Sequence, residues 1–263
     1  AKFPRIVSYL PMAHIAARAG DHYQAIYRIG QIFPVPVLED MRDALPTIKP
    51  SVFLAVPRVW EKFKAGLEAR IEENPKKDLI AKAIQNGLEK VDYEQKGESV
   101  PFMVSLKDKI FAKLVFSKFK EGLGIVDTEY FVTAAAPMNK DVHRWFHAIG
   151  IDVTEIYGMT EDTGPATIGV PGNAVESFEK RLKVDSIKVP SVLNPIGKVG
   201  IPIPGTEVKV MEDGELCIKG NHVAQGYFKS EEQTKETFDE DGWLHTGDLA
   251  AVSYTHLTLP TKA

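Results

Sequence analysis

The sequence has little cysteine and no long apolar run. Cys217 is the single cysteine among 263 residues, which excludes an internal disulfide and favours a reducing, cytoplasmic setting. The alternation of apolar residues around Cys217 favours a small buried strand side chain over a nucleophile. No apolar run approaches the roughly 18 residues of a membrane-spanning helix. The first residues contain neither an initiator methionine nor the apolar block of a signal peptide, so we expect the chain to begin inside a longer protein.

The charge balance excludes one class of partner. The formal net charge is −4, so no basic field attracts a nucleic acid, and no nucleic-acid partner is expected. Hydrophobic residues make up 44% of the chain, which predicts a folded protein with a substantial core divided between two lobes.

Apolar residues at helical spacing predict four helices in the first half of the chain. The first is predicted at 8–28, and the second begins at Pro57. The third and fourth are predicted at 78–94 and 106–121. Ile110, Leu114 and Phe119 show this spacing in the last helix. Residues 57–121 therefore form a lysine-rich helical insertion, whose charges indicate a solvated face or, as the alternative, a membrane-surface face.

A β-α-β unit is predicted in the middle of the chain. Residues 128–134 and 151–156 are predicted strands, and the helix between them is capped by Asn139 and ended by Gly150. Strands joined in this way are parallel with a right-handed crossover, so the loops that follow them leave the same edge of the sheet. Ligands bind at that edge in open α/β sheets. A further buried strand is predicted at 51–56.

The last part of the chain predicts a small β-rich subdomain. Asp213 and Gly214 are typical of a hairpin turn between TEVKVM and ELCIKG, and a short helix begins at Ser230. Residues 173–195 are polar and predict an irregular connection.

Several motifs in order carry a resemblance to a known family. YLPMAHIAAR, TAAAPMNKDVHRWFHAIGI, YGMTED, GELCIKGNHVAQGYFKSEEQTKETF and DEDGWLHTGDL follow one another between residues 8 and 251. Together they resemble the adenylate-forming superfamily, which contains acyl-CoA synthetases, carrier-loading adenylation domains and luciferases.

The resemblance implies an α/β fold like an incomplete acyl-CoA synthetase N-terminal domain: a parallel-sheet core with a helical insertion, plus a small β-rich subdomain. The expected division is given by four ranges. They are an AMP-binding lobe at 1–172 with the insertion at 57–121, the connection at 173–195, the β-rich subdomain at 196–251 and an unmatched tail at 252–263.

The resemblance also implies a nucleotide site. Enzymes of this superfamily join a carboxylic acid to ATP, releasing pyrophosphate and forming an acyl-adenylate. Tyr157 would stack on adenine, and backbone groups of Ala135 and Ala136 would meet its edge. Glu155 stands where the family has glutamine, and Gly158 belongs to the same nucleotide-binding stretch.

Four further residues are implied on the phosphate, ribose and acyl sides. Thr160 would donate its hydroxyl to the α-phosphate, and Glu161 would hold Mg²⁺, a hard cation that takes carboxylate oxygens. Asp248 would accept both ribose hydroxyls. His14 would lie near the acyl carboxylate, with a purely structural role as the alternative. His143, His147, His222 and His245 are interpreted as structural, and the spacing of His and Cys predicts no zinc site.

The helical insertion resembles that of long-chain fatty acyl-CoA synthetases, and AIGIDVTEIYGMTED followed by TGP resembles bubblegum-type and related long-chain enzymes. The implied substrates are a fatty acid, ATP and CoA, with AMP released. A tunnel near Phe53, Val56, Phe131 and Met159 would bury the alkyl chain. The alternatives are another acyl- or aminoacyl-adenylating enzyme and a non-catalytic nucleotide-binding module. The resemblance leaves undecided whether the protein contacts a membrane surface and whether the full-length parent forms a homodimer.

Parts of the family pattern are absent from the sequence. The phosphate loop that should precede YLPMAH, and the hinge and lysine-bearing lid that should follow GDLA, are not in this chain. Residues 253–263 do not match the family, which suggests a foreign or misread end. We therefore expect weak binding of AMP and a negligible rate of adenylate formation.

Overall fold

Four short strands of the first unit pair in parallel to form a sheet. They are β1 (Arg5–Ser8), β2 (Gln31–Pro34), β3 (Val52–Ala55) and β4 (Tyr130–Thr133), in the order β2-β1-β3-β4. Phe53, Ala55 and Phe131 are buried on the central strands, as expected for a sheet covered on both faces. The strands predicted at 51–56 and 128–134 are confirmed.

The structure is a computed structural model that describes residues 3–170, 192, 194–253 and 256–258. The chain forms two compact units, Ala1–Thr154 and Glu155–Ala263. The predicted fold class is confirmed, since the units contain a parallel sheet, surrounding helices and a small antiparallel sheet. Most of the predicted connection 173–195 lies outside the described residues, as does much of the predicted tail. The predicted domain boundaries stay predictions.

The helices of the first unit cover the sheet and form the insertion. They are α1 (Ile15–Ala17), α2 (Gln24–Arg28), α3 (Met41–Ile48), α4 (Pro57–Glu72), α5 (Lys77–Lys96), α6 (Phe102–Phe111), α7 (Ser117–Leu123) and α8 (Lys140–Ala148). π-Helical segments at Arg18–Tyr23 and Ala112–Phe116 make α1 continuous with α2 and α6 continuous with α7. In the part of the chain that the structure describes, no helix combines the length and apolarity needed to cross a membrane.

The predicted start of one helix is wrong, and one apolar helix face is exposed. The helix expected at 8–28 begins only at Ile15, because Ser8 ends β1 and His14 caps the helix. Ile110 and Leu114 share the apolar spacing of the last insertion helix, yet both are exposed. Spacing reveals that a face is apolar but does not say what covers it.

Trp60 is the centre of the core of the first unit. It is fully buried, and its ring contacts Phe53 and Phe146 with centroids 5.4 and 5.0 Å apart. Its indole Nε1 donates to the carbonyl of Ala55 at 3.1 Å, so burial leaves the donor satisfied. Pro57 occupies the first turn of α4, as predicted, where a missing backbone N–H has no consequence.

Helix α8 begins and ends as its sequence predicts. Asn139 accepts hydrogen bonds from the backbone N–H groups of Asp141 and Val142, at 2.8 and 3.3 Å. Gly150 has φ +75° and ends the helix.

The next strand, β5 (Val153–Tyr157), begins two residues later than predicted, because the Ile151 N–H still bonds to the Phe146 carbonyl. The predicted parallel pairing of this strand involves both units and stays a prediction.

Antiparallel strands form the second unit. β5 pairs with β6 (Thr167–Ile168), and β6 pairs with β7 (Ile201–Pro202). A separate sheet contains β8 (Thr206–Val210), β9 (Glu215–Gly220) and β10 (Leu244–Leu249) in the order β10-β9-β8, and β11 (Ala251–Ser253) pairs with β12 (His256–Thr258). The hairpin predicted at Asp213-Gly214 is confirmed, with Gly214 at φ +90°. The predicted short helix is α9 (Glu231–Thr237).

Candidate functional site

The ends of β5 and β10 meet through two polar side chains of the second unit. Tyr157 donates its hydroxyl to Asp248 Oδ2 at 2.9 Å. Burial is the main cause that raises the pKa of Tyr157, so the phenol stays protonated and remains a donor. Tyr157 and Asp248 were predicted on the adenine and ribose sides of one site, and they are in direct contact.

A bulge in β10 presents Asp248. His245 lies opposite Cys217 and Leu249 lies opposite Glu215, so β10 uses more residues than β9 to cover the same length. Gly247, at φ +68°, takes the left-handed conformation inside the bulge. The extra residues lift Asp248 out of the ladder, where its carboxylate can meet Tyr157.

One carboxylate holds this bulge in place. Glu215 Oε1 accepts the backbone N–H of Gly247 at 2.9 Å, and Glu215 Oε2 lies 2.8 Å from His245 Nδ1. Thr246 Oγ1 donates to the carbonyl of Leu216 at 2.7 Å and accepts the Asp248 N–H at 3.1 Å. The bulge is therefore held at His245, Thr246 and Gly247, the three residues immediately before Asp248.

The turn after β5 is a short 3₁₀ helix, Thr160–Asp162, built around a buried carboxylate. Asp162 Oδ1 accepts the backbone N–H groups of Met159 and Gly164, at 3.1 and 3.0 Å. Burial, with a contribution from the charge of Glu161, raises the pKa of Asp162 to about 6. Thr160 is exposed at the start of this turn and Glu161 is half-buried beside it.

Glu161 is held from a second part of the chain. Tyr227 donates its hydroxyl to Glu161 Oε1 at 2.8 Å, and the Ala224 N–H donates to the Glu161 carbonyl at 2.7 Å. Thr163 adds a bond from its hydroxyl to the His222 carbonyl at 2.6 Å. The segment 222–227 thus fastens the turn that carries the predicted phosphate and metal residues.

A family model described as AMP-binding enzyme matches residues 2–228 of this chain. The chain belongs to the AMP-binding enzyme family. The family predicted from the sequence motifs is confirmed.

Similar proteins within the AMP-binding enzyme family include fatty-acid–CoA ligases. A putative fatty-acid–CoA ligase fadD11 of Mycobacterium tuberculosis is 35% identical over 93% of this chain and 40% of its own length. The long-chain-fatty-acid–CoA ligase ACSBG2 of Xenopus laevis is 33% identical over 93% of this chain and 31% of its own length. The chain therefore spans less than half the length of these relatives.

Two solved structures share the fold. The N-terminal domain of FACL13 from Mycobacterium tuberculosis superposes with a TM-score of 0.61 at 20% identity, covering 98% of this chain and 51% of that domain. Unliganded O-succinylbenzoate coenzyme A synthetase (MenE) from Bacillus subtilis superposes with a TM-score of 0.61 at 15% identity, covering 100% of this chain and 42% of that protein. At these identities the likeness establishes an AMP-binding enzyme fold and nothing finer.

Three of the residues implied by the AMP-binding family lie in the first unit. His14 is exposed and caps α1, with its Nδ1 accepting the Ala16 N–H at 3.0 Å. Ala135 and Ala136 are exposed in the turn after β4, where Ala135 has φ +74°. Their placement around the nucleotide, relative to Tyr157, stays a prediction.

Glu155 and Gly158 stand at the two ends of the stretch that the AMP-binding family resemblance assigned to the nucleotide. Glu155 is buried within β5, and its carbonyl accepts the Gly169 N–H at 3.1 Å. Gly158 is exposed, and a Cβ built there would overlap the carbonyl oxygen of Gly164. Glycine is therefore required at 158 for the chain to turn back on itself.

Sequence reasoning missed three residues that support this candidate site. They are Glu215, Tyr227 and Thr246. Glu215 and Tyr227 stand inside the quoted GELC and QGYF motifs, so the motifs flagged their neighbourhood. No pattern in the sequence indicates which distant residue each side chain contacts.

Cys217 is a buried strand residue, as predicted, but it has unexpected neighbours. The donor atoms of Glu215, Cys217 and His245 lie within 4.8 Å of one another, with Cys217 Sγ 3.6 Å from His245 Nδ1. Residue spacing alone did not predict this cluster of metal-ligating residue types. Burial is the main cause that raises the pKa of the Cys217 thiol, so the sulfur stays protonated. Glu215 and His245 already bond to each other. The cluster therefore serves to fix the bulge.

Proposed function

We propose that this chain is the AMP-binding part of a cytoplasmic long-chain fatty acid–CoA ligase. In that reaction the fatty acid attacks ATP to give acyl-AMP and pyrophosphate, and the thiol of CoA then displaces AMP. Family membership and the names of the similar ligases support this proposal. The helical insertion between β3 and β4, which the resemblance associates with long acyl chains, supports the substrate class.

The contact between Tyr157 and Asp248 is the observation that carries the proposal. Its 2.9 Å hydrogen bond holds the phenol hydroxyl beside the Asp248 carboxylate, which keeps further acceptor capacity. A ring next to a carboxylate suits a nucleoside, because the base stacks on the ring and the ribose hydroxyls donate to the carboxylate.

Thr160 and Glu161 would serve the phosphate end of the nucleotide. Mg²⁺ prefers oxygen donors, and the Glu161 carboxylate, which is oriented by Tyr227 and follows Thr160 in sequence, fits that preference. When bound, the ion would neutralise part of the phosphate charge. Glu161 would hold the ion, Thr160 would donate to the α-phosphate, and Asp162 would keep the turn in shape through its two backbone hydrogen bonds.

The isolated chain is proposed to bind the adenylate without forming it at a useful rate. The family's phosphate loop and lid lysine, which stabilise the charge of the transferring phosphate, are absent from this sequence. His14 is proposed to lie near the acyl carboxylate, and a homodimer remains a proposal for the full-length parent.

Calorimetric titration of the 263-residue chain with AMP tests the nucleotide site. Asp248→Asn should weaken AMP binding by about tenfold or more, because it removes a charged acceptor. Asp241→Asn, at an exposed position of the preceding turn, is the matched control and should leave affinity unchanged. Equal affinity of the wild type and Asp248→Asn would argue for a module that holds no nucleotide at this site.

A second titration tests the substrate class. A long-chain acyl-sulfamoyl adenosine should bind more tightly than its acetyl counterpart, since each buried methylene contributes about 0.8 kcal/mol. Equal affinities would favour another acyl-adenylating enzyme of the same family.

A further inference from the structure

The long helical run of the insertion, α6 through α7, is apolar on two faces. Its inner face buries Val104, Val115 and Phe116. Asn86 of α5 fixes this side by donating its side-chain N–H to the Val104 carbonyl at 3.1 Å. The opposite face, here named the outer face, consists of Phe102, Met103, Leu106, Ile110 and Leu114, which are between 41% and 76% exposed.

The outer face is continuous. At the helical rotation of 100° per residue, Phe102, Leu106, Ile110 and Met103 occupy an arc of about 100°. Leu114 extends the stripe by one more turn. A water-facing helix surface is normally polar, so a stripe of aromatic and long aliphatic side chains marks a contact surface.

Lysines flank the outer face on both sides. Lys109 borders one side and Lys107 borders the other, Lys113 and Lys118 follow along the same helical run, and all four are exposed. Asp108 is turned toward the inner side, where it pairs with Lys90 of α5 at 3.0 Å. Along 102–118 the exposed charge is therefore of positive sign, and Glu121 comes only at the C-terminal end.

We propose that the outer face docks on the surface of an anionic lipid bilayer, with the helix lying parallel to the membrane plane. An apolar stripe bordered by lysines is the pattern of a helix at this interface, because the apolar side chains enter the acyl boundary while the ammonium groups reach the headgroups. The charge complementarity between the flanking lysines and anionic headgroups selects a lipid surface over an uncharged protein groove. The proposal concerns the insertion alone and does not depend on the ligase assignment.

Co-sedimentation of the 263-residue chain with lipid vesicles tests the docking. The wild type should bind vesicles of phosphatidylcholine containing about 30% phosphatidylglycerol, and bind pure phosphatidylcholine at least about tenfold more weakly. Added salt should weaken the binding, because it screens the lysines. Failure to bind the anionic vesicles, or equal binding to both kinds, would overturn the proposal.

A pair of double variants tests the apolar stripe. Leu106→Ser/Ile110→Ser should weaken binding to anionic vesicles by about tenfold or more, because less apolar surface enters the bilayer. Ile26→Ser/Tyr27→Ser removes two exposed apolar side chains of α2 and should bind like the wild type. Unchanged vesicle binding of Leu106→Ser/Ile110→Ser, with circular dichroism and thermal unfolding like the wild type, would show that the outer face does not dock on the membrane.

A second pair tests the charge. Lys107→Glu/Lys113→Glu should lower affinity by about 25-fold or more, on the basis of about fivefold for each lysine removed near the surface. Lys62→Glu/Lys140→Glu makes the same change of net charge at exposed positions of α4 and α8 and should lower affinity much less. Equal losses for the two variants would overturn the assignment of the docking to this face. A wild type that ignores vesicles and self-associates through the outer face would identify a second copy as the occupant instead.

Discussion

Tyr227 and Glu161 are joined by a hydrogen bond of 2.8 Å that connects positions 66 residues apart. The bond to Glu161 is the main cause that raises the pKa of Tyr227, so its phenol stays a donor. With the Ala224 N–H bonded to the carbonyl of the same residue, Glu161 is oriented through both its side chain and its backbone before any ligand arrives.

Tyr227→Phe should lower the free energy of unfolding by about 0.5–1 kcal/mol, because the half-buried Glu161 carboxylate loses a donor. Urea denaturation followed by tryptophan fluorescence measures the change. Tyr23→Phe, at an exposed tyrosine of the first unit, is the control and should have no effect. A loss no larger for Tyr227→Phe than for this control would contradict the orienting role.

Glu215→Gln should loosen the bulge around Asp248. The amide keeps an acceptor for Gly247, but it loses the charge that faces His245, and charge-assisted bonds contribute about 1.5–3 kcal/mol. Hydrogen exchange at the Gly247 and Asp248 amides should become faster, and AMP affinity should fall with it. Glu207→Gln, exposed on β8, is the matched control. Exchange at the bulge that is as slow as in the wild type would show that Glu215 does not hold it.

Asp162 should make the free energy of unfolding decrease as pH rises. Its folded-state pKa is raised from 3.8 to about 6, so the folded chain binds this proton more tightly than the unfolded chain. The stabilisation from this proton is complete below pH 3.8 and is lost as pH rises through about 6. The free energy of unfolding changes by an amount on the order of 3 kcal/mol.

Asp162→Asn keeps an acceptor for Met159 and Gly164 but has no proton to lose. The free energy of unfolding of this variant, minus that of the wild type, should therefore increase between pH 4 and about 6.5. Urea denaturation at several pH values measures it, with Asp241→Asn as the exposed control. A difference that is flat with pH would show that Asp162 titrates normally.

Two glycines should respond to the same substitution with opposite signs. Gly158→Ala should destabilise the chain by about 2 kcal/mol or more, because the added Cβ meets the Gly164 carbonyl. Gly66→Ala, within α4 and with open space around its Cβ, should stabilise the chain by about 0.5–1 kcal/mol. Thermal unfolding of the two variants checks both. Tolerance of alanine at 158 would mean that the turn does not need this close approach.

Much of the fold follows from local signals in the sequence. Pro57 and Asn139 mark helix starts because their effects act within one turn, and Asp213-Gly214 marks a hairpin for the same reason. The exposed stripe containing Ile110 and Leu114 could not be predicted, because periodicity gives a face its polarity and says nothing about its neighbour.

The candidate site was predictable in part. Motif order led to Tyr157, Glu161 and Asp248, and the first and last of these do touch. The bonds of Tyr227 and Glu215 to these segments depend on how distant strands and loops close on one another. A single sequence carries no record of that closure.

The bulge in β10 makes the direction of the Asp248 side chain depend on the length of that strand. Removing one residue between His245 and Leu249 would shift the alternation of side chains and turn the Asp248 position away from Tyr157. An engineer who grafts this hairpin onto another scaffold must keep glycine at 214, where φ is +90°, and must conserve the residue count around Gly247.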